Sequence, residues 1–327
     1  MIKSIYIFVV LCLFFSSCSR RNNAEEEYYL SEEYFQWELS DEGVAIIGFT
    51  GETSNLRIPL QIQGIYVTRI GDEAFRDKQI TRVKIPESVI HIGEDAFRGN
   101  RIGDLTIPDS VLTIGSRAFM NNHLTRVNFS NSVTIIEDGA FAGNGLTNII
   151  IPDSVTHIGD WAFFRNQLTS AVIPDSVIHI GSVAFEENRL IYVTIPSNIT
   201  YISERAFADN QLLRVRIPDG ITYIGAAAFQ ANQIRVVNIP DSVISIGANA
   251  FAGNQLTEIT IPDSVTQIGL FAFVGNNDLT RITIGNNVAI ACNIGFLSRF
   301  REFYEEQERR AGTYTLSFGR IRSWRFE

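Results

Sequence analysis

Residues 151–172, IPDSVTHIGDWAFFRNQLTSAV, are followed without a gap by a near copy, residues 173–194, IPDSVIHIGSVAFEENRLIYVT. The same pattern starts at Ile58, Ile85, Ile107, Phe129, Ile151, Ile173, Ile195, Ile217, Ile239, Ile261 and Ile284. Successive repeat starts are 22 residues apart from Ile85 to Ile261. The step from Ile58 to Ile85 is five residues longer, and the step from Ile261 to Ile284 is one residue longer. Self-similarity at such a fixed period indicates a solenoid, in which each coil packs on the next.

Proline marks the end of a strand in each coil. All nine prolines directly follow a repeat-start residue. Because proline lacks an amide hydrogen, it fits a strand end and not the interior of a ladder. The residues before it, such as 256–261, alternate apolar side chains, as a strand with one buried face requires. Each coil therefore contributes one strand to a parallel sheet.

Three columns of identical side chains run through the repeat. Phe recurs at 75, 97, 119, 141, 163, 185, 207, 229, 251 and 273, always after Ala, and Ile recurs a few residues earlier. A small residue beside a large one suits close packing between coils, and each buried Phe contributes about 1.5–3 kcal/mol before entropy is subtracted. Asn recurs at 100, 122, 144, 166, 188, 210, 232, 254 and 277. We expect it to bond backbone groups in the turn that enters the strand; a row of ligands is the alternative.

A coil of 22 residues has room for one strand, two turns and about one helical turn around the Ala-Phe pair. We therefore predict an α/β solenoid with a parallel sheet on one face and short helical turns on the other. The array covers residues 58–290 and about ten coils.

The pattern L-T-x-V-x-I-P-x-S-V-x-x-I-G-x-x-A-F-x-x-N resembles the BspA-like, treponemal type of leucine-rich repeat, from Ile58 to Ile284. Many members of that family have Cys where this chain has Asn. Ser130, Glu137, Ser203 and Gly285 depart from the pattern. The resemblance implies a bacterial surface lipoprotein that takes part in adhesion to host matrix glycoproteins or in contacts between bacteria.

The first residues predict export. Lys3 precedes a short apolar run, residues 5–15, which suits a signal peptide and is too short to span a membrane. The run ends in Phe15-Ser16-Ser17-Cys18, which resembles a relaxed lipobox, so residues 1–18 are predicted to be a lipoprotein signal with lipidation at Cys18. The alternative is an ordinary signal with an incidental Cys. With Cys12 in the signal and Cys18 acylated, Cys292 is alone in the mature chain, without an intramolecular disulfide partner.

The segments outside the array have distinct predicted roles. Residues 19–33 are polar and predict a tether to the membrane. Residues 34–57 predict a hairpin that covers the first coil. Residues 291–327 predict a C-terminal cap made of an amphipathic helix and a hairpin; membrane binding by this helix is the alternative, against which its acidic residues argue.

The chain carries no recognisable catalytic or phosphate-binding motif, so we expect neither an enzyme nor a cofactor. A net charge of −9 argues against nucleic-acid binding. Two adjacent His in one column, His157 and His179, are a weak metal candidate, and the Asp residues that follow Pro are a weak calcium candidate. Turn and surface roles explain both better, so no metal site is predicted.

The sheet face is the predicted binding surface. Residues one and three places before each repeat start should point away from the core. In the middle coils they include Ile150, Val172, Tyr192 and Val236, flanked by Arg126, Arg214 and Arg216. Exposed apolar residues rimmed by Arg predict a protein-binding patch.

The sequence therefore favours an exported, lipid-anchored binding protein at the outer-membrane surface, with host matrix glycoproteins or other bacteria as partners. A periplasm-facing scaffold lipoprotein with bacterial partners is the alternative.

Overall fold

The computed structural model describes residues 30–291, 298–318 and 322–326. The predictions for the signal peptide, Cys18, residues 19–29 of the tether and Cys292 lie outside these residues.

One short strand in each coil forms the first ladder, which is the sheet face named above. The strands are Asn55–Arg57, Arg82–Lys84, Asp104–Thr106, Arg126–Asn128, Asn148–Ile150, Ser170–Val172, Tyr192–Val193, Arg214–Arg216, Val236–Asn238, Glu258–Ile261 and Arg281–Ile284. They pair in parallel in several short sheets, one of which ends at Tyr192–Val193. A single bridge between Thr194 and Arg216 joins that sheet to the next. The predicted solenoid with a parallel sheet is confirmed.

A second ladder, which the sequence did not predict, follows the proline turn. Its strands are Ile65–Ile70, His91–Ile92, Thr113–Ile114, Ile135–Ile136, His157–Ile158, His179–Ile180, Tyr201–Ile202, Tyr223–Ile224, Ser245–Ile246, Gln267–Ile268 and Ala289–Ile290. The glycine that follows most of these strands permits the close approach of neighbouring coils. A Cβ at Gly181 would lie 2.5 Å from the backbone of Gly159 and Asp160, so a side chain there would require the backbone to shift.

Hydrogen-bonded turns, without a regular helix, stand where short helical turns were expected around the Ala-Phe pair. The residue before Ala has a left-handed backbone in every coil, with φ between 53° and 63°. Because a right-handed helix requires a negative φ, the chain cannot continue as a helix there. The turn instead bonds to the next coil; for example, the Phe163 amide donates to the Ala184 carbonyl at 2.9 Å.

The core is one continuous column of stacked aromatic rings. Neighbouring rings from Phe75 to Phe273 lie 5.2–5.7 Å apart between centroids and nearly parallel. Nearly all are fully buried, together with the Ala before them. This arrangement confirms the packing that the sequence predicted for the Ala-Phe pair.

Each Asn of the column ties two coils together. The Asn166 side chain accepts a bond from the Leu146 amide at 3.1 Å and donates to the Phe141 and Phe163 carbonyls. The predicted backbone role is therefore confirmed. The prediction of Asn277 as the last member is wrong: Asn276 is buried and makes these bonds, and Asn277 is exposed. The extra residue in this coil follows the Asn, so the three-residue spacing from Phe273 is kept.

Short antiparallel elements cover both ends of the array. At the first coil, a 3-10 turn (Glu32–Tyr34) leads into paired strands Phe35–Ser40 and Gly43–Phe49, and a two-residue strand, Gln61–Ile62, pairs with the start of Ile65–Ile70. At the last coil, helix α1 (Ser298–Glu306) precedes paired strands Gly312–Phe318 and Arg322–Phe326. Strand Gly312–Phe318 also pairs with Arg281–Ile284, which extends the first ladder. No described helix has the length and apolar character needed to cross a membrane.

Candidate protein-binding face

The first ladder presents its predicted candidate residues to solvent. Ile150 is 73% exposed, Val236 64%, Tyr192 58% and Val172 57%. The residue next to each of them in the same strand points into the core and is buried. The alternation follows from the two-residue side-chain period of a strand.

Strand register decides which of these residues meet. Ile150 lies opposite Val172, and Tyr192 lies in the next strand opposite Ser170. Arg214 lies opposite Val236, and the bridge from Thr194 places Arg216 beside the same region. Arg126 is four coils away from Arg214, and its strand pairs with Asp104–Thr106 instead. The structure therefore gathers the other six residues along neighbouring strands and leaves Arg126 at the margin.

Two further apolar residues of this surface were missed from the sequence, Ile191 and Leu213. They directly precede their strands and are 43% and 45% exposed. The same position is Thr in most coils, where the hydroxyl bonds the preceding coil; Thr169 Oγ1 donates to the Thr147 carbonyl at 3.3 Å. The change from Thr to Ile and Leu in two adjacent coils is the sequence signal that could have revealed them.

Three arginines of this face differ from Arg205, which lies on the Ala-Phe turns. Within the described part of the chain, the guanidinium groups of Arg126, Arg214 and Arg216 make no ion pair or hydrogen bond. In contrast, Arg205 bonds Glu186 and Asp209 on the Ala-Phe turns, and its hydrogen bond to Glu186 raises its pKa. Arg126, Arg214 and Arg216 are therefore available to a partner.

A cleft of about 480 Å³ opens beside the bridge between the sheets. Its lining includes Thr194, Arg216, Asp175, Ser197 and Asp219. Asp175 accepts bonds from the amide and the hydroxyl of Ser197, the residue that replaces the usual Asp after proline. The cleft thus adjoins the apolar surface at a point where the pairing of the first ladder is reduced to a single bridge.

The His column lies on the second ladder. His157 and His179 stand 5.9 Å apart between ring centroids, and the Tyr201 hydroxyl bonds His179 Nδ1 at 2.8 Å. Among the described residues no group of three or more His, Cys, Asp or Glu is arranged to hold a metal ion. This column therefore has the geometry of a surface ladder.

The comparison with known proteins agrees with the solenoid geometry. The model of the BspA type leucine-rich repeat region matches residues 68–191 and 178–298, with six copies. The chain belongs to this family. A search of curated proteins finds no match.

Two solved structures have a similar fold. A leucine-rich repeat protein from Bacteroides ovatus is 24% identical with a TM-score of 0.60, and the match covers 81% of this chain and 67% of that one. The pneumococcal vaccine antigen PcpA is 19% identical with a TM-score of 0.54, and the match covers 77% of this chain and 82% of that one. At these identities the likeness shows the fold alone.

Proposed function

We propose that this chain is an exported, lipid-anchored leucine-rich-repeat protein that binds a protein partner through the first ladder. The patch consists of Ile150, Val172, Ile191, Tyr192, Leu213, Arg214, Arg216 and Val236. The proposal rests on the exposed aliphatic residues Ile191 and Leu213. Most other coils have at this position a Thr whose hydroxyl is hydrogen-bonded to the preceding coil. The proposed partner is a host matrix glycoprotein or a protein on another bacterium.

The chemistry of the patch suits binding. A partner that covers six exposed apolar side chains removes them from water, which favours association by about 25 cal/mol per Å² of apolar surface. Tyr and Arg are enriched among the residues that dominate binding energy at protein interfaces. The two unpaired arginines would then select for carboxylates at the edge of the partner's apolar contact.

The proposed location rests on the first 18 residues and on the family. Acylation at Cys18 would anchor the array to a membrane, with residues 19–33 as the tether. The relative named PcpA is a vaccine antigen, which is consistent with exposure of that protein to the host.

Binding to a panel of immobilised matrix glycoproteins tests the function. We expect saturable binding by the purified protein, and a loss of at least tenfold in affinity for Arg214→Glu/Arg216→Glu. The matched control is Arg82→Glu/Lys84→Glu, which reverses two charges at the same two strand positions in an early coil. If both variants lose affinity equally, the effect reflects overall charge and the patch is not the site.

A scaffold role facing the periplasm is the second candidate. If the protein binds no member of the panel, capture of partners from the cell envelope and protease treatment of intact cells distinguish the two. Cleavage on intact cells supports surface exposure, whereas protection until the outer membrane is opened supports the scaffold.

A further inference from the structure

A second cavity lies away from the first ladder, on the Ala-Phe turns. Its volume is about 310 Å³, and its lining residues are Arg117, Met120, Asp138, Gly139, Ala142, Trp161 and Phe164. Arg117, Gly139 and Trp161 occupy the same left-handed position in three successive coils. Because Gly139 has no side chain, the Arg117 side chain extends over it, and Arg117 Cγ would lie 3.2 Å from a Cβ at this position. A gap remains between Arg117 and Trp161. We call this gap the Gly139 notch.

Trp161 has no role in the core that would explain it. Its neighbours Ala162 and Phe163 are fully buried and supply the packing between coils, whereas Trp161 is 49% exposed. Its φ of 54° is a property of the repeat, since the residue before Ala is left-handed in every coil. A half-exposed indole beside a cavity offers a large aromatic surface to a ligand.

The charge at the notch is negative. Asp138 lines the cavity, and its Oδ1 accepts the Asp160 amide at 2.8 Å. Asp160 Oδ1 in turn accepts the Ser182 amide. Within the described residues the second oxygen of each carboxylate accepts no bond.

Arg117 does not offset this charge. It bonds Asp95 at 3.1 Å and also Glu94, and the hydrogen bond that it donates to Asp95 raises the pKa of its guanidinium. Its positive charge is thus already matched by two carboxylates, which leaves Asp138 and Asp160 to attract a cation.

We propose that the Gly139 notch binds a cationic side chain, Arg or Lys, of a protein partner. The alkyl part of that side chain packs between Met120 and Ala142, the charged group lies against the Trp161 indole, and Asp138 pairs with it. The chain already shows such a contact on the wall of the notch: the Arg165 guanidinium lies 4.9 Å from the centroid of the Phe164 ring. This site is separate from the sheet-face patch and does not depend on it.

Titration with short peptides tests the proposal. The chain has three Trp, so labelling with ¹⁵N-Trp gives three indole signals, and Trp161→Phe assigns the one at the notch. We expect acetyl-Gly-Arg-Gly-amide to shift the Trp161 signal saturably, with a dissociation constant of about 1 mM or above. The peptide with citrulline, which has a similar shape without the charge, should bind at least fivefold more weakly.

Two matched pairs of variants locate the interaction. Asp138→Asn should weaken binding of the Arg peptide severalfold, whereas Asp72→Asn, which caps an equivalent turn in an early coil, should leave it unchanged. Trp161→Ala should abolish binding, as measured by calorimetry, and Phe271→Ala, at the same turn position, should not. A Trp161 signal that fails to shift, or that responds equally to the citrulline peptide, overturns the proposal. Asp138→Asn and Asp72→Asn keep the group that accepts the turn amide, so loss of folding does not imitate the result.

Discussion

The interior and the sheet face of the array differ in how their residues vary. Along the interior, successive coils present the same Phe, Ala and Asn, and each Asn bonds the backbone of its own coil and of the one before. Along the sheet face, side chains change from coil to coil, and between Ile150 and Val236 they become apolar and exposed. The constant residues are therefore those that hold the coils together. The residues that depart from the repeat on the sheet face are not needed for the packing of the coils.

The largest expected effect tests the interior side of this comparison. Asn276→Ala should lower the free energy of unfolding by about 1–3 kcal/mol, because it leaves the buried Leu256 amide without a partner. It also removes the side-chain bonds to the Phe251 and Phe273 carbonyls, which keep bonds from the Asn254 side chain and the Asn276 amide. The adjacent Asn277→Ala, at an exposed position, should change it by less than about 0.5 kcal/mol. Urea denaturation followed by circular dichroism measures both. A similar loss in the two variants would contradict the assignment of Asn276 to the column.

A smaller effect is expected where the interior ends, at the C-terminal cap. Burial raises the pKa of Tyr314 from its ordinary value of 10.0 to about 12. Because the folded cap favours the protonated phenol, its stabilising effect is complete below pH 10 and is lost as the pH rises toward 12. Tyr314→Phe should lower stability by about 1 kcal/mol at neutral pH, since it removes the bond to the Arg310 carbonyl.

The same variant should also reduce the fall in stability at alkaline pH. Fluorescence of the buried Trp324 during urea denaturation at pH 8 and pH 11 measures the difference. Parallel losses in wild type and Tyr314→Phe would show that other groups control the alkaline range.

The smallest effect on stability is expected on the sheet face. Ile191→Thr/Leu213→Thr restores the residue that neighbouring coils carry at this position, where the hydroxyl bonds the preceding coil. Stability should therefore stay within about 0.5 kcal/mol of wild type, while affinity for a partner of the patch falls by tenfold or more. A stability loss above about 1 kcal/mol would assign these side chains to the fold instead, and would break the comparison.

The sequence predicted the features that each coil repeats. The Ile-Pro boundary, the Ala-Phe pair and the Asn position follow from strand, packing and turn chemistry that acts within one or two coils, so the pattern alone reveals them. The left-handed residue before Ala could not be found in this way. Glu73, Trp161 and Val183 occupy it with no shared chemistry, because bonds to the next coil hold the backbone there.

The candidate site was only partly predictable for a related reason. Alternation along a strand identified Ile150, Val172, Tyr192 and Val236 as outward-facing residues. Their grouping with Arg214 depends on strand register. Ile191 and Leu213 are found only when one notices that most other coils have Thr at their position. The Gly139 notch arises from residues in three coils, and no single repeat contains it.

The direction of the Asn bonds has a consequence for the order in which the coils can fold. The Leu146 amide is bonded by Asn166, which lies 20 residues further along, so a coil is complete only when most of the next one has emerged. A protein exported from its N-terminus would thus carry one unfinished turn at its growing end throughout translocation. The last coil has no such successor; there the Leu279 amide bonds the Asn276 carbonyl within its own coil, and the Thr280 carbonyl accepts a bond from Leu316 of the cap. Arrival of the cap would therefore end the propagation of folding along the array.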